Sequence, residues 1–225
     1  MSNKSAVLVH GRHLGTRGWE EVVWGKAPDA LGQVPKAILV ALELGASLMI
    51  FSTGASERDG KKEGEYTLDY ARERLSELSA FDAFRENWNE AYTREFLERV
   101  ARLELASMNT RDELRNSGRI CLAEGVTRFA LVSCPSHLPR IIRDASIVYA
   151  DPEFAALRNH YMVIPSDVPY QGTTPEDVVI IEPPHRGDHV GPSLHRHAAR
   201  LLRVPAGERA AFLDDLDTLL QRHGA

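Results

Sequence analysis

Short apolar runs recur down this chain, and most of them are separated by stretches of helical period. Ala6–Val9 (AVLV), Ser47–Phe51 (SLMIF), Phe129–Val132 (FALV), Met162–Ile164 (MVI) and Val178–Ile181 (VVII) are of this kind. Runs so short and so apolar suit strands buried on both faces of a parallel sheet. Between them, Val34–Leu44 carries apolar residues at Ala37, Ile38, Ala41 and Leu42 and closes on Gly45, a helix with a C-terminal glycine. Glu63–Leu78 and Phe81–Arg102 repeat the helical period, and Trp19–Leu31 reads as a less regular, partly helical link. Arg102–Leu105 reads as one more short strand. A helix capped by Asn109 or Thr110 runs to Gly125, another starts near His137 and breaks near Pro152, and two more occupy Leu194–Leu202 and Ala206–Leu220. Strands alternating with helices predict a Rossmann-like α/β fold: a mostly parallel sheet with helices on both faces and extra C-terminal helices. With no internal repeat and no low-complexity linker, residues 1–225 read as a single domain, a core to about residue 190 and a helical extension over 191–225.

Composition narrows the partners. A net charge of −5 and a pI near 6.0, with no Lys/Arg-rich block, argue against nucleic acid. No apolar run is long enough for a bilayer or a signal-peptide core, so the expectation is a cytoplasmic protein with no membrane partner. Cys121 and Cys134 make neither a disulfide framework nor a thiolate metal site.

Chemistry concentrates where the apolar runs end, the edge of a parallel sheet at which ligands bind. After the first run come His10, Gly11 and Arg12; after the second, Ser52, Thr53 and Gly54; at a helix start, Asn109 and Thr110. After Phe129–Val132 come Ser133, Cys134, Pro135 and Ser136, and then His137 and Arg140, three apart at the start of a helix. A strand end, a turn and a helix N-terminus carrying His and Arg favour an anionic group through free N–H donors, helix dipole and guanidinium. His185 follows the last run, in a His-rich stretch whose prolines and glycine make it a loop, so no metal site is assigned there. The glycines at Gly11, Gly15 and Gly18 lack dinucleotide spacing, and no Gly-Lys-Ser/Thr follows.

In motif order, residues from about Ala6 to Ile181 resemble the YdcF/SanA/ElyC-like family, a bacterial domain of unknown function. The matching segments are Phe51-Ser52-Thr53-Gly54, Gly64-Glu65-Tyr66 with only its Glu retained, Asn109-Thr110 with Ser117 and with Asp112 for a longer acid, and Val132-Ser133 with His137 and Arg140. Thr53, Glu113 and Gln33 depart from the family pattern, which has a Gly, an Asn and an Arg at these places, and mark a divergent soluble branch. The resemblance implies a Rossmann-like fold and a pocket built from the matched residues. S-adenosylmethionine is the cofactor it allows, since binding of that molecule is associated with one member.

The expected function is an enzyme, a hydrolase or group transferase, acting on a small anionic or nucleotide-like ligand. His137 would serve as acid/base, Arg140 as anion holder, and Glu65 or Asp112 would orient the histidine. Two alternatives stand beside it. One is a non-catalytic module that binds S-adenosylmethionine or a nucleotide. The other is a cysteine-type phosphatase using the Cys-x5-Arg spacing of Cys134 and Arg140, although Pro135 and Pro139 remove N–H donors that a phosphate cradle needs. A homo-oligomer is left open.

Overall fold

The computed structural model describes residues 4–86, 88–168 and 203–224. Two compact units are distinguished, Met1–Val178 and Val179–Ala225, and each is described by itself.

In the first unit the short apolar runs form one sheet. In chain order the elements are β1 (Lys4–Val9), α1 (Trp19–Trp24), β2 (Gly25–Lys26), β3 (Ala30–Leu31), α2 (Gln33–Glu43), β4 (Leu48–Ser52), β5 (Glu57–Arg58), β6 (Lys61–Lys62) and α3 (Glu63–Glu73). They continue with a 3-10 segment (Leu75–Ala80), α4 (Asp82–Arg85), α5 (Glu90–Val100), β7 (Ala101–Glu104), α6 (Thr110–Ala123) and β8 (Val126–Ser133). A 3-10 turn (Pro135–His137), α7 (Leu138–Val148), a second 3-10 turn (Pro152–Phe154) and β9 (Tyr161–Pro165) complete it. Five strands pair in the order β7-β4-β1-β8-β9, all parallel. The chain therefore winds outward from β1 through β4 to β7 and then returns to the other side of β1 for β8 and β9. That reversal, between β1 and β8, is the switch point at which a doubly wound sheet opens a crevice beyond its strand ends.

The period-2 alternation of a strand decides which residues meet which layer. Val7 and Val9 of β1, Met49 and Phe51 of β4, and Ala130 and Val132 of β8 pack with Val34, Ala37, Ile38 and Ala41 of α2 and with Phe96, Leu97 and Val100 of α5. Their neighbours Ala6, Leu8, Leu48, Ile50, Phe129 and Leu131 face the opposite layer, with Leu114 and Cys121 of α6 and Ile141, Ala145 and Val148 of α7. Each fully buried aliphatic or Phe side chain contributes about 1.5–3 kcal/mol, so this double-sided strand core anchors the unit.

Helix ends follow their local chemistry. Asn89 and Asn109 cap α5 and α6 by accepting the backbone N–H of Tyr92 and Asp112. Gly45 and Gly125 take positive φ after α2 and α6, where a side chain would be strained. Three stretches differ from the helical period alone. Trp19–Leu31 is a short helix followed by a two-stranded hairpin, because Gly25 (φ 91°) and Pro28 end the helix early. Glu63–Leu78 passes from α3 into a 3-10 segment at Leu75, and Phe81–Arg102 is two helices separated by residues 86–89.

In the second unit a 3-10 turn (Ala206–Glu208) leads into a helix at Arg209–Arg222, matching the expected tail helix. The strand expected at Val178–Ile181, the helix expected at Leu194–Leu202 and His185 lie outside the described residues. Among the described residues no helix is long and apolar enough to cross a membrane.

Candidate functional site

Three strand ends and one helix start meet at the switch point. β1 delivers His10, Gly11 and Arg12; β4 delivers Ser52 and Thr53; β8 delivers Ser133 and Cys134; the first turn of α6 delivers Thr110 and Glu113. The hub is Glu113. Its Oε2 lies 2.7 Å from His10 Nδ1, its Oε1 accepts the Gly11 N–H at 2.8 Å, and the Ser52 hydroxyl also donates to Oε1. Burial alone would push this carboxyl up. The charge and hydrogen bond of His10, with the bonds from Ser52 and Gly11, outweigh it and hold the group below the usual range. His10 itself is 2% exposed, and its second nitrogen, Nε2, has no partner among the described residues.

A second network runs alongside. Gln33, at the start of α2, reaches between β1 and β8: its Nε2 donates to Ser133 Oγ at 2.9 Å and to the His10 carbonyl at 3.4 Å. Ser133 Oγ is 3.1 Å from His137 Nδ1, and His137 Nε2 is 3.2 Å from Thr110 Oγ1. His137 is thus oriented by two hydroxyls rather than by Glu65 or Asp112. Glu65 is half-buried on α3, and Asp112 is occupied at the surface, where it pairs with Arg115 and takes a hydrogen bond from the Asn109 side chain. Burial, then the neighbouring His10, lowers the His137 pKa to about 4, with Glu113 opposing and Arg140 and Arg12 adding to the effect. His137 is therefore neutral at physiological pH. The two imidazoles meet edge-on, with ring centroids 5.6 Å apart.

A second buried acid, Glu63, sits beneath the β1 loop at the start of α3. A Cβ on Gly11 would overlap Glu63 Oε1 and Thr53 Cγ2, so only a glycine lets this backbone pass between the two carboxyls. Ser56 hydrogen-bonds to Glu63 and accepts the Leu14 N–H at 2.9 Å, which ties the loop down. Burial pushes the Glu63 carboxyl up to about 7, against the Ser56 hydrogen bond and with the charge of Glu113 reinforcing it.

The remaining expected residues take support and rim positions. Thr53 donates to the Ser107 carbonyl at 2.6 Å, and the Gly54 N–H to the same carbonyl at 3.0 Å. A Cβ on Gly54 would overlap the Leu105 carbonyl oxygen. Buried Glu104 in turn holds that loop through the N–H groups of Ala106 and Ser107. Asn109 caps α6. Arg12 Nη1 lies 3.5 Å from Cys134 Sγ, which also meets Ser136 Oγ at 3.4 Å. Cys134 packs with Val22 and Val168 in a small apolar cluster. Arg140 is exposed on the first turn of α7, with no hydrogen-bond partner among the described residues, and so the guanidinium beside the thiol is Arg12.

Sequence reasoning passed over Glu113 and Glu63 as partners. In the sequence Glu113 reads as a first-turn acid and a departure from the family pattern, and Glu63 only as the start of a helical stretch. Among the described residues no group of three or more His, Cys, Asp or Glu side chains is placed to hold a metal ion. Two surface cavities, of about 400 Å³ beside Trp24, Tyr70 and Arg74 and about 310 Å³ beside Arg128, His160 and Tyr161, are lined by other residues. No protein-family model, no curated protein and no solved structure matches the chain.

Proposed function

We propose that this protein is an enzyme acting on a small anionic ligand at the switch point of the sheet, by hydrolysis or group transfer. The observation that carries the reading is the convergence of the buried His10–Glu113 pair and the Ser133–His137–Thr110 chain, with Arg12 and Arg140 alongside. The pKa values of the buried carboxyls of Glu63 and Glu113 are driven apart, the first up and the second down, as acid/base chemistry at neutral pH requires of neighbouring groups. Arg12 and Arg140 supply the positive side, and they make a phosphorylated or carboxylate-bearing metabolite the preferred ligand. The motif order shared with the YdcF/SanA/ElyC-like family supports a nucleotide-like ligand, S-adenosylmethionine among them. The same reading places the protein in the cytoplasm, with a small molecule rather than nucleic acid or a bilayer as its partner.

The test is a thermal-shift screen with AMP, ATP, sugar phosphates, S-adenosylmethionine and uncharged adenosine as control, since a ligand at one hundred times its Kd stabilises by about 2.7 kcal/mol. An anionic compound raises Tm for the wild type, and Arg140→Ala abolishes the rise. Stabilisation confined to uncharged compounds, or unaffected by loss of both Arg12 and Arg140, refutes the anion reading.

A further inference from the structure

The two histidines of the site are not equivalent, and their hydrogen bonds say how they differ. An ionised carboxylate only accepts. Glu113 Oε2, 2.7 Å from His10 Nδ1, therefore places the hydrogen of a neutral His10 on Nδ1 and leaves Nε2 as a bare lone pair. The rest of the carboxylate is already engaged by Gly11 N–H and the Ser52 hydroxyl, so Glu113 cannot swing away without stranding the Gly11 donor. His10 is 2% exposed, and Nε2 is buried without a partner among the described residues, a state that costs free energy unless a further group meets it.

His137 is arranged the other way. Gln33 can offer Ser133 only N–H, because its nitrogen faces two oxygens, Ser133 Oγ and the His10 carbonyl. The arrangement that gives each of these hydrogens an acceptor runs in one direction. Gln33 donates to Ser133, Ser133 donates to His137 Nδ1, and His137 Nε2–H donates to Thr110. Both nitrogens of His137 are then committed, and the Thr110 hydroxyl is left with its own hydrogen to give.

We infer that His10 Nε2 is the proton-accepting atom of the site, that Glu113 is its positioning residue, and that His137 is a neutral donor acting through Thr110. The inference rests on the anionic-ligand reading above for its substrate. In the step it implies, an O–H bond of water or of a substrate hydroxyl breaks as the Nε2–H bond forms. The freed oxygen pair bonds to the phosphorus or carbonyl carbon of the ligand, and the bond from that atom to the leaving oxygen breaks. The leaving oxygen then takes the proton back from Nε2. Glu113 balances the imidazolium charge in between, as a buried carboxylate does for an imidazole base. Among the described residues the charged group in contact with His10 is Glu113 from α6, and neutral His137 meets its ring edge-on.

The decisive measurement is 1H–15N long-range correlation NMR of the uniformly labelled full chain, with no ligand added. The expected result is His10 as the Nδ1–H tautomer and His137 as the Nε2–H tautomer at pH 8, with Glu113→Gln, isosteric and able to accept or donate, shifting His10 toward Nε2–H. His10 found as Nε2–H in the wild type overturns the inference. So does a His10 tautomer indifferent to Glu113→Gln. With p-nitrophenyl phosphate as the turnover probe, His10→Gln lowers kcat by about 100-fold or more and leaves KM within about threefold. A variant within about threefold of wild-type kcat also overturns it. If the wild type does not turn over the probe, the phosphate-ester form of the anion reading fails, and the tautomers alone then decide the role of His10.

Discussion

Replacing Glu63 with glutamine isolates the charge balance beneath the β1 loop. Glu63 is 2% exposed, and its carboxyl is pushed from the usual 4.5 to about 7, by burial first. Among the described residues the charge facing it is Glu113. The nearby cations are turned elsewhere: Lys62 donates to the Leu105 carbonyl at 3.2 Å and Arg58 to the Leu14 carbonyl at 2.5 Å. Because the folded pKa lies above the unfolded one, the native state holds this proton more tightly than the unfolded chain does. Its contribution to stability is complete below pH 4.5 and is lost as pH rises through about 7. At about 1.4 kcal/mol for each tenfold in proton affinity, the loss reaches about 3 kcal/mol by pH 8. His137 works with the opposite sign. Its pKa falls from 6.5 to about 4 on folding, so its contribution is complete above pH 6.5 and is lost as pH falls through about 4. Between pH 4.5 and 6.5 the two slopes offset one another in the wild type, and Glu63→Gln exposes the His137 slope. Urea unfolding of both proteins from pH 5 to 8 measures this directly. The stability of the wild type relative to the variant falls by about 2.5 kcal/mol across that range. A difference that does not change with pH refutes the reasoning.

Other perturbations separate structural from functional residues. Gly11→Ala forces a methyl group into Thr53 and Glu63, 2.9 Å from the Ser52 carbonyl oxygen, and destabilises the protein by about 1–3 kcal/mol in urea titrations. Arg140→Ala, at an exposed position without a hydrogen-bond partner among the described residues, changes unfolding free energy by less than about 0.5 kcal/mol while removing the Tm rise given by anionic ligands. Cys121 is fully buried and burial pushes its thiol up to about 12, so it reacts with Ellman's reagent at pH 8 only after denaturation.

The strands were legible because a buried parallel strand must be apolar on both faces. Ala6–Val9, Ser47–Phe51 and Phe129–Val132 could satisfy nothing else, and their ends located His10, Ser52 and Ser133. What sequence could not supply was which of two neighbouring acids turns inward. Glu63 and Glu65 share the first turn of α3, and Asp112 and Glu113 are adjacent on α6. In the first pair the choice is made by Gly64, whose missing side chain lets α3 approach within 2.7 Å of the Phe51 carbonyl oxygen, measured from where a Cβ would stand. That approach seats Glu63 under the β1 loop. In the second pair, a step of about 100° around the helix carries Asp112 to the surface and Glu113 into the sheet edge. The Glu113–His10 contact joins residues 103 positions apart, a distance over which no local period carries information. The hairpin at Gly25–Leu31 was equally hidden, since two-residue strands leave no alternation to read.

The Trp19 indole N–H donates to the Arg12 carbonyl at 2.9 Å, and its ring meets Tyr66 and Tyr70 edge-on at 5.4 and 5.1 Å. The backbone that carries His10 and Arg12 is thereby tethered to a fluorophore that is 2% exposed, in a chain with three tryptophans. On the proposed reading, a ligand that draws Arg12 toward itself would alter that hydrogen bond and with it the Trp19 emission. Intrinsic fluorescence would then follow occupancy of the switch point before any turnover assay exists, and emission unchanged by a compound that raises Tm refutes the coupling.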